Sequence, residues 1–239
     1  MPDIIAANTD DEIFSANAAY STVRSATTGT TSGNTGITDQ VGIIRFNSRG
    51  GSPPCRIHRF FLDFDTSGIS VTPSSANLKF TINTQASETS NSNLIAVKSD
   101  AFTGASDTLQ SSDYDNIDIS TPYTAEMDHE SAANGATITT ALNSDALSDM
   151  VANDNFRLAL ISHAHDFTNN EPSDTLSRVL VIRTADYGTL ASRPTISYVA
   201  GVAASGPANL TSLNGITKSN ITSANTITLA NITSINTIA

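Results

Sequence analysis

Four stretches of this chain carry residue types that could do chemistry. The first is His163-Ala164-His165-Asp166, directly after the apolar run Phe156–Ser162. On a strand, residues i and i+2 share a face, so two imidazoles and a carboxylate there could begin a metal site. A tetrahedral site needs three or four ligands, and no further ligand stands at a metal-motif spacing. The Glu171-Pro172-Ser173-Asp174 run soon after marks a loop, so the expectation is a polar strand end without a metal. The second stretch is Asp10-Asp11-Glu12. Calcium needs six or more oxygens converging from several places, and three adjacent acids without a spaced loop read as a solvated face. The third holds Asp113, Asp115 and Asp118. A calcium loop starting at Asp113 would need Gly at its sixth position and Glu at its twelfth, where this chain has Asp118 and Thr124. The fourth is Cys55, the lone cysteine, beside Pro53-Pro54. It reads as a small buried side chain that excludes an intrachain disulfide, so folding in a reducing cytosol is expected. The sequence shows no nucleophile–base pair, closed metal motif or phosphate loop, and the expectation is a protein with no enzymatic activity, no cofactor and no metal.

Positioning any of these groups falls to strands. The stretch Ile57–Asn83 organises the chain. His58–Phe64 alternates, with His58, Phe60, Leu62 and Phe64 on one face and Arg59, Phe61 and Asp63 on the other. Asn77–Asn83 alternates more cleanly, with Leu78, Phe80 and Ile82 opposite Asn77, Lys79, Thr81 and Asn83. A period of two means a half-buried strand, and two one-faced strands require a second layer. Gly68, Pro73 and a Ser/Thr cluster make the connection between them a loop. Val41–Phe46, Leu94–Val97, Phe156–Ser162, Arg178–Arg183 and Thr195–Val199 read as further strands, and Tyr20–Arg24 as another. Ile138–Val151 is the one helix candidate, capped by Ser144 with Asp145 in its first turn. About eight short strands separated by turns predict an all-β fold, a jelly-roll β-sandwich with one short helix. The predicted core is Phe60, Leu62, Phe64, Leu78, Phe80, Ile82, Phe156, Leu158, Leu160, Val179 and Val181.

The totals agree with that class. The 239 residues suffice for one large β-domain with something appended. At 38% hydrophobic and 6% aromatic, without Trp, the core is lean. A net charge of −11 without basic clusters argues against nucleic acid and against anionic membranes as partners. The first residues lack the basic and apolar regions of a signal peptide, and no stretch approaches the ~20 apolar residues of a membrane span.

The end of the chain is an internal repeat. Asn209–Ile216 reads NLTSLNGI, Asn220–Ile227 reads NITSANTI and Asn231–Ile238 reads NITSINTI, at a period of 11 residues. Leu210, Leu213, Ile216, Ile221, Ile227, Ile232, Ile235 and Ile238, with Ala224, form its regularly spaced apolar positions. On a helix they would line one face, but units of Asn, Thr, Ser and Ile favour stacked short strands and turns. About 30 residues cannot bury such a stripe alone; they need the same tail from other subunits or a groove on another protein. The expected organisation is a jelly-roll sandwich over 1–200, a small-residue linker over 201–208 and an assembly tail over 209–239. The three N-x-T sequons at Asn209, Asn220 and Asn231 read as by-products of the repeat.

Two segments resemble a known family. RFFLDFDTSGI…SSANLKFTI resembles the strand pair of DNRLRE-type jelly-roll modules, carbohydrate-binding-module-like sandwiches of bacterial surface proteins and phages. ITTALNSDALSDMVANDNFRLALI, followed by SRVLVIRTADYGTLASRPTISYV, resembles that family's closing portion. Arg193-Pro194 and Tyr198 stand where its pattern wants them, while Ala185-Asp186 replaces its acidic residue. The tail resembles the reiterated apolar repeats near the ends of tailed-phage virion proteins. Together these resemblances imply a non-enzymatic phage virion structural protein: a capsid decoration, head fibre or tail-associated spike, located in the virion and assembled in the host cytoplasm. Its partners would be further copies of itself, with a trimer expected, and other capsid or tail proteins. The alternative is a carbohydrate-binding or adhesin module with a host-surface glycan as partner; it needs aromatics on a sheet face for sugar stacking, and the chain has five Tyr and no Trp.

Overall fold

The computed structural model describes residues 2–31, 36–46, 54–104, 107–173 and 175–202, and the backbone of four two-residue strands between 212 and 228. Twelve strands run through residues 3–199: β1 Asp3–Ile5, β2 Asp11–Asn17, β3 Thr30–Thr31, β4 Thr38–Arg45, β5 Cys55–Asp65, β6 Ser75–Thr84, β7 Leu94–Ser99, β8 Ile117–Pro122, β9 Thr137–Ala141, β10 Asn155–Ser162, β11 Leu176–Arg183 and β12 Thr195–Val199. Two α-helices join them, α1 Tyr20–Arg24 and α2 Ser144–Ala152. All strand pairs among the described residues are antiparallel, and the fold is the expected all-β sandwich.

One layer has the order β1-β12-β6-β9. The other is built around β5, which pairs with β2 along Cys55–Phe61, with β4 along Cys55–His58 and with β10 along Phe60–Asp65. β10 continues to β7 and β7 to β8, while β4 continues to β11. The layers are joined where β11 meets the end of β6, with a register shift at Val181/Ile182. Between them lies a core fed from both sides by Phe60, Leu62, Phe64, Phe156, Leu158 and Leu160 against Leu78, Phe80, Ile82 and Ile196. Each such side chain stabilises the fold by roughly 1.5–3 kcal/mol.

β5 is buried on both faces. Phe61, packed with Ile95, Val97, Phe102, Tyr114 and Ile161, forms a second apolar cluster outside the sheet. Cys55 and Ile57 form a third with Tyr20, Val23, Ile43 and Leu176, closed by α1. A strand covered on both sides has no solvent face, which is why Arg59 and Asp63, on the opposite side from Phe60, are buried too.

Four expectations change. Tyr20–Arg24 is a one-turn helix rather than a strand, since Tyr20 and Val23 at i and i+3 both turn inward. The expected helix Ile138–Val151 is a strand, Thr137–Ala141, followed by α2; the β-branched Ile-Thr-Thr run favours the strand. The cap is Asn143, whose side chain accepts a hydrogen bond from the Ala146 amide at 3.1 Å, so Ser144 is the first helical residue instead. In β11 the inward residues are Leu180 and Ile182; Val179 and Val181 are half-buried on the other face. Beside Val179, Gly42 has φ +128°, and a Cβ there would stand 2.1 Å from the Arg178 carbonyl oxygen, so only glycine lets β4 approach β11.

In the tail, Ser212–Leu213 pairs with Ile216–Thr217 and Ser223–Ala224 with Ile227–Thr228. Leu213 opposite Ile216 and Ala224 opposite Ile227 repeat one register at the 11-residue period. Paired short strands, as the composition favours, are therefore present in the first two units. Most of the 201–208 linker, and Leu210, Ile221, Ile232, Ile235 and Ile238, lie outside the described residues.

Candidate functional site

The His163–Phe167 segment leaves the end of β10 as a single π-type turn whose start is held by Ser162, its hydroxyl accepting from the His165 amide at 3.3 Å. Asp166 is completely buried by that turn and meets Arg59 of β5 in a two-pronged ion pair, Nε to Oδ2 at 2.7 Å and Nη2 to Oδ1 at 2.9 Å. Arg59 also donates to the Tyr114 carbonyl at 2.6 Å and the Arg24 carbonyl at 3.1 Å, and its guanidinium stacks 4.1 Å from the Tyr114 ring centre. Tyr20 donates to the His165 carbonyl, Arg24 to the Asp166 carbonyl at 2.8 Å, and Tyr114 to the Val23 carbonyl at 3.1 Å. Burial would lower the Arg59 pKa, yet Asp166 holds it above its ordinary value. Burial likewise pushes the Tyr20 hydroxyl up to about 12. This constellation ties α1, the Ser111–Asp115 turn and the π-turn to the outside of the sheet. Both shifts keep the Arg59 guanidinium cationic and the Tyr20 hydroxyl neutral near pH 7.

The histidines are engaged as well. His165 Nδ1 stands 2.7 Å from the Asn170 carbonyl, and its Nε2 accepts from Arg178 at 2.7 Å, which assigns the proton to Nδ1. Burial and the neighbouring Arg178 lower its pKa, so the ring is neutral with neither nitrogen offered to an ion. His163 pairs with Glu126 at 3.2 Å and stacks on Phe167. The expected polar strand end is thus a buried clamp.

The Asp10–Glu12 acids are not a solvated face; all three are buried. Glu12 contacts His58 Nδ1 at 3.1 Å and accepts from the Gln40 amide. Asp10 Oδ2 accepts from the Ala185 amide at 2.8 Å, while its Oδ1 has no hydrogen-bond partner among the described residues. Burial, with Asp186 and Asp11 nearby, pushes the Asp10 carboxyl up to about 7. Asp113 spends both oxygens on its own loop, accepting from Gln110 N at 2.8 Å, Phe102 N at 3.1 Å, Thr103 Oγ1 at 2.6 Å and Asn116 Nδ2 at 2.8 Å. Asp118 accepts from Ser120 and Thr121 within β8, where it is half-buried. Cys55 is buried as expected, and burial lifts its thiol to about 11.

A further feature carries no motif in the sequence. A polar cleft of about 300 Å³ opens where β7, β10 and the end of α2 meet, lined by Lys98, Asp100, Tyr123, Asp149, Asn155 and Arg157 among others. Asp149 Oδ2 accepts from Lys98 Nζ at 2.9 Å and from the Tyr123 hydroxyl. The Tyr123 ring is buried and stacks on Phe156, 5.1 Å between centres. Burial would raise Asp149, but these two hydrogen bonds leave its carboxyl below the usual carboxylate range. The bond to Asp149 raises Lys98, and burial with the same carboxylate raises Tyr123. Lys98 is therefore a fixed cation, Asp149 a fixed anion and Tyr123 a fixed donor. In the sequence Asn153-Asp154-Asn155 marked only a helix end; that Lys98 of β7 comes opposite Leu158 of β10, beside the end of α2, is visible only once the two strands are paired.

Set against protein-family models and against curated proteins, the chain matches none.

Proposed function

We propose that this protein is a non-enzymatic virion structural protein of a phage, a sandwich displayed outward on a tail that assembles copies of the chain and attaches them to a capsid or tail protein. The observation that carries the reading is the 11-residue repeat, which sets Leu213 opposite Ile216 and Ala224 opposite Ile227 in successive strand pairs. The core of the sandwich, among the described residues, is built from residues between Ala6 and Ile196, and the repeated apolar positions of the tail fit an assembly role. The ionisable groups of the sandwich fit the same reading. Asp166 and Asp113 accept hydrogen bonds through both oxygens and Asp149 through Oδ2, and Tyr123 and Lys98 are held far from a neutral-pH proton transfer.

Polar substitution at Ile221, Ile227, Ile232 and Ile238 together tests it. The expected product is a folded monomer that is no longer incorporated into particles. A variant retaining both its assembly state and its incorporation removes the tail from that role.

A further inference from the structure

We propose that the open edge of β9 takes up the tail of a neighbouring copy as an added strand; this rests on the assembly role proposed above and names the surface that role requires. In the register of β6 with β9, Leu78 stands opposite Thr140 and Phe80 opposite Ile138. Just beyond these pairs the Leu142 amide donates to the Ala76 carbonyl at 2.9 Å, and the Ile82 amide to the Ala136 carbonyl at 2.9 Å. Backbone groups alternate between the two sides of a strand, so those of Ile138 and Thr140 are committed to β6. Thr137, Thr139 and Ala141 therefore turn their N–H and C=O groups away from β6, where no described strand pairs with them. All three residues are exposed.

The other edges of the sandwich are blunted. β1 has three residues and carries Asp3, β3 has two residues, and β8 has a register shift against β7 together with Asp118 and Pro122. Charge, bulges, proline and shortness keep an edge from pairing, and Thr137–Ala141 carries no charge, no proline and no bulge against β6. The tail is the matching partner. In a chain of net charge −11, residues 209–239 hold one charged side chain, Lys218, so the tail meets this edge without burying a row of unpaired charges. Its strand pairs, Ser212–Leu213 with Ile216–Thr217 and Ser223–Ala224 with Ile227–Thr228, have two strands each and no third among the described residues. Two strands alone are marginal in water, and a third stabilises them. Tail and edge each lack what the other supplies. A tail given to the next copy's edge makes one donor and one acceptor per chain, a head-to-tail contact that closes as a ring and suits a trimer, whereas two β9 edges facing each other would make a dimer.

The test follows backbone amide exchange in the assembled full chain, read residue by residue by mass spectrometry. The Thr137, Thr139 and Ala141 amides are expected to exchange as slowly as those of Ile138 and Thr140, within about tenfold. Thr139→Pro removes one outward N–H and no bond to β6. The full chain carrying it is expected to sediment as a monomer that keeps its thermal transition. Thr139→Lys keeps the backbone and adds charge to the edge; it is expected to raise the concentration needed for assembly by about tenfold or more, and it decides the question where the proline variant does not fold. Fast exchange of the three amides in the assembled chain, or assembly unmoved in a folded variant, overturns the proposal and leaves the tail as the assembly element. Slow exchange in a monomer, which places the tail on its own β9, or a dimer joined through β9, overturns it as well. A chain ending at residue 203 that still assembles overturns both this proposal and the assembly role.

Discussion

Arg59 and Asp166 lie 107 positions apart and meet in a buried pair of hydrogen bonds at 2.7 and 2.9 Å. Every oxygen and nitrogen of that pair is committed, because the Arg59 guanidinium also reaches the Tyr114 and Arg24 carbonyls. The outside of the sheet at β5 is thus closed by one ion pair that fastens three separate loops.

Removing one partner should cost far more than removing both. Asp166→Ala leaves a buried guanidinium uncompensated, and a loss of about 3–5 kcal/mol is expected. Arg59→Met with Asp166→Leu should lose much less than the sum of the single changes, since no charge is then left in the interior. Urea unfolding of the three variants measures this. A single-variant loss below about 1 kcal/mol would mean the pair is solvated in solution.

The phase of β11 gives a second expectation. Leu180 is fully buried in the main core, whereas Val179 is half-buried on the opposite face. Leu180→Ala should cost about 2–5 kcal/mol, and Val179→Ala clearly less. Equal losses in thermal or urea unfolding would contradict the observed phase.

Such elements show where the sequence was readable. In β6 one face is polar, so Leu78, Phe80 and Ile82 announce themselves by alternation, and all three are buried. β5 shows the same Phe60, Leu62, Phe64 series, yet its other face is also covered, and Arg59 looks solvated until Asp166 is brought to it. In β11 the run Val179–Ile182 is apolar at every position, so period-two reasoning has no polar residue with which to choose the face. The acids at Asp10–Glu12 and the His163–Asp166 segment were visible as chemistry, but their partners Ala185, Gln40, His58, Arg59 and Arg178 lie far away in sequence. The Lys98–Asp149–Tyr123 grouping joins three elements none of which carries a motif, so only the fold assembles it.

Asp10 supplies a dependence on pH. Its carboxyl is raised in the folded chain from 3.8 to about 7, so the folded state holds a proton that the unfolded chain releases. The stabilisation is complete below about pH 4 and is lost as pH rises through about 7, at most about 4 kcal/mol. Asp10→Asn keeps the acceptor for the Ala185 amide and removes the titration. Its stability relative to the parent should therefore improve between pH 4 and 8, as read from urea midpoints across that range. A constant difference would show that Asp10 is ionised in the folded protein.

The proposed function requires the tail, not the sandwich, to assemble the protein. Sedimentation velocity on the full chain and on a chain ending at residue 203 separates the two. A trimer near three times 25.0 kDa is expected for the full chain. A monomer with an unchanged thermal transition is expected for the shortened one, since the described core lies between Ala6 and Ile196. A shortened chain that sediments with the same number of copies as the full one would contradict it.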